Sequence, residues 1–332
     1  MTKNVFSYSL DEWARGVYHV YETPNSKRTL FDMWMSVLET ASEVAEALRK
    51  PAYEDALSAL AYNFAWFCAF HQKCQRDREP YLIPESLSDV IALKYPNLCG
   101  HCELNKCACG NRRIEMEEKK NKVGNYEYLV EHRNSFHYRD KTVDDWINVF
   151  RSIYGNSIYA TNTEGICFHW FEELGEVAKA LRKLAQLAGV NEVEMHGANA
   201  LWSESPGEIK RQIDSALGED KSRDIDDEEI EKLPLKYQVW WRQLELRFEL
   251  ADAFSWFCSL ALKLEWVFKG IQPRFTPQQR SLLLEKLVQK YLNPKGNSLW
   301  CPHPACHMPQ CGKVYHFRDT AGATGRQPTA SV

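Results

Sequence analysis

A chain of 332 residues, 44% of them hydrophobic and 26% charged, is long enough to bury two hydrophobic cores of ordinary size. Its 41 Lys and Arg against 45 Asp and Glu leave a formal net charge of −4, so there is no basic surplus to neutralise a nucleic-acid backbone. No stretch reaches the roughly 18 uninterrupted apolar residues of a membrane span. The opening MTKNVFSYSLDEWARG has no apolar signal core, so a cytoplasmic chain with no membrane partner is expected.

The chain repeats itself. SLDEWARGVYHVYE (9–22) matches TVDDWINVFRSIYG (142–155), 133 residues later, and the same offset puts ETASEVAEALRK (39–50) on EELGEVAKALRK (172–183). Farther on, AWFCAF (65–70) meets SWFCSL (255–260) at an offset of 190, so the second copy carries 57 extra residues between its matched helices. ALKYPN before the first cysteine cluster likewise resembles VQKYLNPKGN before the second. Each copy therefore reads as four helices followed by a Cys/His knuckle.

In chain order, Ser9 with Glu12 and Thr142 with Asp145 have the spacing of N-terminal capping boxes. Leu174, Val177, Leu181 and Leu184 form one apolar helical stripe; Leu246, Leu250, Ala253, Phe257, Leu260 and Leu264 form another. Strand alternation is nearly absent, and the expected fold class is all-α, as two related bundles. The expected boundaries are 1–110 for the first copy, 111–140 for a polar linker, 141–317 for the second copy and 318–332 for a disordered tail. The insertion, 184–236, contains the acidic run DIDDEEIEK (224–232), expected as a solvated loop, with a mobile lid as the alternative.

Eleven cysteines, an odd number, fall into two clusters and a scattered remainder, which in a chain read as cytoplasmic points to metal ligation rather than disulfides. Cys99, Cys102, Cys107 and Cys109 offer four thiolates in a compact loop, as a closed tetrahedral zinc site requires. His303, Cys306 and Cys311 reproduce the spacing of Cys99, Cys102 and Cys107; Cys301 completes that set, with His307 and His316 as competitors, as His101 is in the first. One or two structural Zn²⁺ ions are expected, each holding a small loop-rich segment in shape. Lys106 and Lys313 are sparse company for a nucleic-acid knuckle, although Arg112 and Arg113 follow the first cluster. Cys68, Cys74, Cys167 and Cys258 sit among apolar residues and read as small core side chains.

The chemistry lies in the second copy. Glu173 and Glu176 are three positions apart and share a helix face, as do Glu249 and Asp252. Packing the two apolar stripes would converge four carboxylates, whose mutual repulsion is relieved by protons or by a hard divalent cation such as Mg²⁺, with Mn²⁺ as a substitute. Glu172 and Glu245 stand close enough for a base or supporting role.

Glu173-x-x-Glu176 followed by Glu249-x-x-Asp252 resembles the ExxE…ExxD signature of MazG-like all-α nucleoside triphosphate pyrophosphohydrolases, relatives of dimeric dUTPases and dCTP pyrophosphatases. The resemblance implies that Glu173, Glu176, Glu249 and Asp252 hold Mg²⁺ and that a nucleoside triphosphate is cleaved to the monophosphate and pyrophosphate. Glu172 or Glu173 would take the proton of the attacking water, and Trp256 would lie against the nucleotide. Lys179, Arg182 and Lys183 are candidates for the phosphates. The 73 positions from Glu176 to Glu249 exceed the family's short connection. In the first copy, Thr40, Ala59 and Tyr62 replace three of the carboxylates and only Glu43 remains, so that copy should lack activity. Because family members pair subunits, the tandem chain is expected to pair its own halves as an intrachain pseudo-dimer, monomeric or dimerised further. First-half residues would then line the active half's pocket. The alternative is a non-catalytic nucleotide- or partner-binding module.

Overall fold

The computed structural model describes residues 5–76, 83–109, 122–187, 206–217, 227–270 and 280–291, with isolated positions at 198, 200, 201, 204, 298–299 and 315–316. The helices are α1 (Leu10–Val20), α2 (Glu22–Ser26), α3 (Leu30–Arg49), α4 (Tyr53–Arg76), α5 (Leu87–Lys94) and α6 (Lys122–Ser135). They continue as α7 (Val143–Ala160), α8 (Thr163–Gln186), α9 (Pro206–Leu217), α10 (Asp227–Lys232), α11 (Leu235–Lys269) and α12 (Leu282–Tyr291). The described residues are thus almost wholly helical. A two-residue antiparallel pairing, β1 (Ser298–Leu299) with β2 (Tyr315–His316), is the exception. No helix among them is long and apolar enough to cross a membrane.

Local chemistry sets the helix starts. Ser9 and Thr142 each accept from the backbone N–H three residues on, while Glu12 and Asp145 reach back to the cap N–H, closing the two capping boxes. Thr29 with Asp32 and Ser86 with Asp89 do the same for α3 and α5. At the far end of α11, Gly270 adopts φ +67°, the left-handed conformation that a side chain would strain.

Two long antiparallel pairs dominate the packing, α3 along α4 and α8 along α11, and α3 also touches α8. Both stripes expected from periodicity are buried along their whole length, as are the scattered cysteines Cys68, Cys74, Cys167 and Cys258. Matched helices make matched contacts: α1 lies on α4, and α7 lies on α11. Trp13 and Trp146, which align in the repeat, are both fully buried. The aligned caps Ser9 and Thr142 face each other in an antiparallel bridge, with Leu10 N–H donating to the Lys141 carbonyl at 2.9 Å.

The short terminal helices cross over. α5 of the first half packs on α11 of the second, and α12 of the second packs on α4 of the first. Each crossing helix is nonetheless pinned at its start by its own half. Asp11 accepts from Ser88 N–H at 2.9 Å, and Asp144 accepts from Ser281 N–H at 3.3 Å.

Two polar segments hold helices that their composition does not announce. Within the linker, residues 122–135 are helical: α6 packs on α5 and on α9 of the insertion. Leu129 there shares a second hydrophobic core with Ile209, Ile213, Ile230, Trp240 and Trp241. The acidic run is not simply a solvated loop either, because Asp227–Lys232 is a short helix that buries Ile230 in that core. Composition hid both, since a charged helix needs only one or two apolar anchors. Residues 184–186 continue α8 and residues 235–236 open α11, inside the expected insertion. The tail 318–332 lies outside the described residues.

His71 on α4 is wholly enclosed, and neither ring nitrogen has a hydrogen-bond partner. Burial, and then the Arg247 charge, pull its pKa from 6.5 down to about 3. The unfolded chain therefore takes up this proton first, and stability present above pH 6.5 is lost as pH falls toward 3. Replacing it, as His71→Leu, should raise the unfolding free energy by about 1 kcal/mol at neutral pH and weaken the acid dependence. Urea titrations near neutrality and in mild acid check both effects.

Candidate metal centres

Two groups of side chains converge among the described residues. Glu173 projects from α8, and Glu249 and Asp252 from neighbouring turns of α11; one oxygen from each lies within 4.8 Å of the others. Cys99, Cys102, Cys107 and Cys109 bring four sulfurs within the same limit in the loop after α5.

The carboxylate group sits where α8 and α11 run side by side, because residues three or four apart on each helix flank the buried stripe. Burial first, then the charges of Asp252, Glu249 and Glu176, raise the Glu173 carboxyl from 4.5 to about 8 against the opposing pull of Lys94. Three hard oxygens at such spacing could hold a divalent cation.

The first half supplies the partners of Asp252. The Lys94 ammonium pairs with Oδ2, and the Tyr95 hydroxyl donates to Oδ1. Desolvation would discharge Lys94, but Asp252, Glu249 and Glu173 outweigh it and hold the ammonium charged. Tyr95 titrates well above its ordinary value, through burial and then the Asp252 charge, and stays a donor.

The sulfur group fits a tetrahedral ion. Cys99 Sγ and Cys109 Sγ are 3.7 Å apart, against about 3.8 Å for the edge of a tetrahedron with zinc–sulfur bonds of about 2.3 Å. Ala108 N–H and the Tyr154 hydroxyl each donate to a sulfur at 3.4 Å, to Cys102 and Cys99 respectively. Desolvation and then neighbouring thiols push Cys109 up, and burial pushes Cys99 to about 11. Close-packed thiols resist ionising together unless a cation compensates them. His101 is not in the cluster and lines a cavity instead.

That cavity, about 230 Å³, lies between the two groups. Cys107 and Cys109 line one side, Glu173 and Asp252 another, with Trp256, Tyr154 and several hydroxyls completing the wall. Cys107 N–H donates to the Ile153 carbonyl at 2.8 Å, tying the first-half loop to α7 of the second half. Desolvation and then Lys94 hold the His101 pKa below its ordinary value, leaving a neutral imidazole there.

The other sequence candidates separate. Glu176 is outside the three-carboxylate group; it is half exposed and bonds Lys179 at 3.1 Å. Glu172 is 71% exposed, bonded to His169 at 2.8 Å, and is not in the three-carboxylate group. Trp256 does line the cavity, half buried, its ring stacked on His169 at 4.7 Å. Arg182 is exposed on α8. Lys183 pairs with Asp227 at 3.0 Å and Glu245 at 2.9 Å, and Arg242 holds the same two acids. The acidic run thus occupies a cation expected to meet phosphate. Cys301, His303, Cys306 and Cys311 lie outside the described residues.

Lys94, Tyr95 and His101 are the site residues that motif reasoning passed over as ligands of the second half. Their one signal was the shared Lys-Tyr pair at 94–95 and 290–291. Compared with protein-family models, curated proteins and solved structures, the chain matches none.

Two outcomes are expected. Cys99→Ser with Cys107→Ser should lower the zinc content by one equivalent per chain, read by elemental analysis. Without divalent cations, the raised Glu173 pKa favours the folded state below 4.5, an advantage lost as pH rises through about 8. Glu173→Gln should therefore flatten the fall in melting temperature between pH 6 and 9, measured by calorimetry.

Proposed function

We propose that the chain is a Mg²⁺-dependent nucleoside triphosphate pyrophosphohydrolase of the MazG-like kind, with one active and one degenerate half. The observation that carries the reading is the convergence of Glu173, Glu249 and Asp252 beside a cavity walled by Trp256. Supporting the tandem pseudo-dimer are the crossed packing of α5 and α12 and the facing caps Ser9 and Thr142. The first half, with Ala59 and Tyr62 at the positions of Glu249 and Asp252, serves as the partner that completes the cavity.

When bound, Mg²⁺ would neutralise the triphosphate and lower the pKa of an attacking water. The chain's own groups do the rest. Glu249, Asp252 and Glu173 present the oxygens that hold the cation, and Glu176, half exposed on α8, would join them by leaving Lys179. Glu173 lines the cavity, whereas Glu172 is exposed and bonded to His169, so Glu173 is the better placed of the two to accept the water's proton. Tyr95 and Lys94 fix the orientation of Asp252, and Trp256 offers a flat apolar face to a base. Lys179 and Arg182, exposed on the same helix, are nearer to solvent and available to phosphate oxygens once Lys179 leaves Glu176.

The second reading, a non-catalytic binding module, is favoured by one observation. Lys94 already neutralises Asp252, as a structural ion pair would.

One assay separates them: the protein with Mg²⁺ and a panel of NTPs and dNTPs, its products resolved by chromatography. Monophosphate and pyrophosphate are expected, slowed about a hundred-fold or more in Glu173→Gln and abolished in Glu249→Gln. Diphosphate with phosphate would reject the pyrophosphohydrolase reading. Retained nucleotide without turnover would select the binding module.

A further inference from the structure

The last short helix of each half ends on Lys-Tyr and delivers that pair to the opposite half. Lys94 and Tyr95 meet Asp252; Lys290 reaches the Ser58 carbonyl at 3.4 Å and the face of Tyr62. Tyr62 aligns with Asp252 in the repeat, and Ala59 with Glu249, so the second crossing persists where both carboxylates are missing. The delivery of the lysine therefore does not require carboxylates at the Glu249 and Asp252 positions, although Glu43 still acts on Lys290.

We propose that the Lys94 ammonium is a permanent cation of the carboxylate cluster, taking the place of a second metal, so that the site accepts one divalent cation. The proposal rests on the reading of Glu173, Glu249 and Asp252 as a divalent-cation site.

Three observations support it. First, Asp252 accepts from Lys94 on one oxygen and from Tyr95 on the other, so both oxygens carry a protein donor before any metal arrives. Each oxygen then keeps one of its two lone pairs, so a second metal bridged by Asp252 would have to share both oxygens with protein donors. Second, Lys94 has nowhere to withdraw. Its side chain is 11% exposed, its ammonium lies over the Phe248 ring at 5.3 Å, and the cysteine loop closes on its stem. At Gly100 in that loop, an added Cβ would stand 3.0 Å from Lys94 Cγ and 3.2 Å from the Lys94 carbonyl. Third, charge closes with one ion. Once a cation displaces the Glu173 proton, three carboxylates and one ammonium leave two negative charges, which a single divalent cation cancels. A second divalent ion would leave an uncompensated excess in a half-buried site.

The test counts Mn²⁺ on the zinc-loaded full-length chain, following free Mn²⁺ by electron paramagnetic resonance. Only sites lost in Glu249→Gln are counted. The wild type should bind one ion, and Lys94→Arg should do the same. Lys94→Met, which keeps the stem but removes the charge, should bind two ions, or one ion roughly tenfold more tightly or better. Two ions on the wild type would overturn the role of Lys94 while leaving the metal site standing. Equal number and affinity in the wild type and Lys94→Met would do the same. No ion on the wild type would overturn both the metal reading and this proposal. If Lys94→Met fails to fold, which a circular dichroism melt would show, Lys94→Gln takes its place in the same comparison.

Discussion

A lysine ammonium enclosed among three carboxylates is the interaction on which the arrangement turns. Each charge would be costly alone away from water, and each is tolerable only because the other is present. Lys94 belongs to the first half and Asp252 to the second, so this contact ties the halves together where the crossed fold brings the lysine. For Lys94 to arrive, α5 must start at its own half, where Asp11 holds Ser88, and end against α11 of the other. A second tie between the halves, Arg247 on α11 to Glu85 just before α5 at 2.8 Å, fastens the same helix from its other end.

The sulfur cluster is built onto that contact. It follows Lys94 and Tyr95 within a few residues, closes over their backbone at Gly100, and is hydrogen-bonded across to α7 through Cys107. Two of its cysteines share the cavity wall with Glu173 and Asp252. A metal in the sulfur cluster would therefore do more than hold a loop in shape. It would stiffen one wall of the cleft and fix the carbon stem of the lysine that balances the opposite wall.

The insertion is accommodated differently. It shares a second core with α6 around the N-terminal part of α11, so the 35-residue helix is buried by two different sets of partners along its length. Where α10 meets the bundle, Asp227 bonds Lys183 and Arg242; those pairings and the adjacent cationic groups hold its carboxyl at about 2, after desolvation is outweighed. A run that composition reads as solvent-facing is anchored by one apolar residue, Ile230, and one carboxylate. Charge density says how a segment meets water, but one or two buried anchors decide whether it docks.

Signals that act over a few residues were legible in the chain. The capping boxes at Ser9 and Thr142, the apolar stripes of α8 and α11, the four-cysteine spacing and the i, i+3 carboxylates all arise from local geometry, and all but Glu176 come together as that geometry requires. The repeat carried more, because it sets Thr40, Ala59 and Tyr62 of one half against Glu173, Glu249 and Asp252 of the other. What the sequence by itself determined is therefore helical class, the inventory of metal-capable side chains and the asymmetry between halves. Tertiary structure alone decided that α5 and α12 cross, that Lys94 and Tyr95 serve Asp252 from about 160 positions away, and that Glu176 and Lys183 find other partners. The physical reason is that helix periodicity and capping are set by near neighbours in the chain. The pairing of a buried charge is set by whichever opposite charge the packed core leaves within reach.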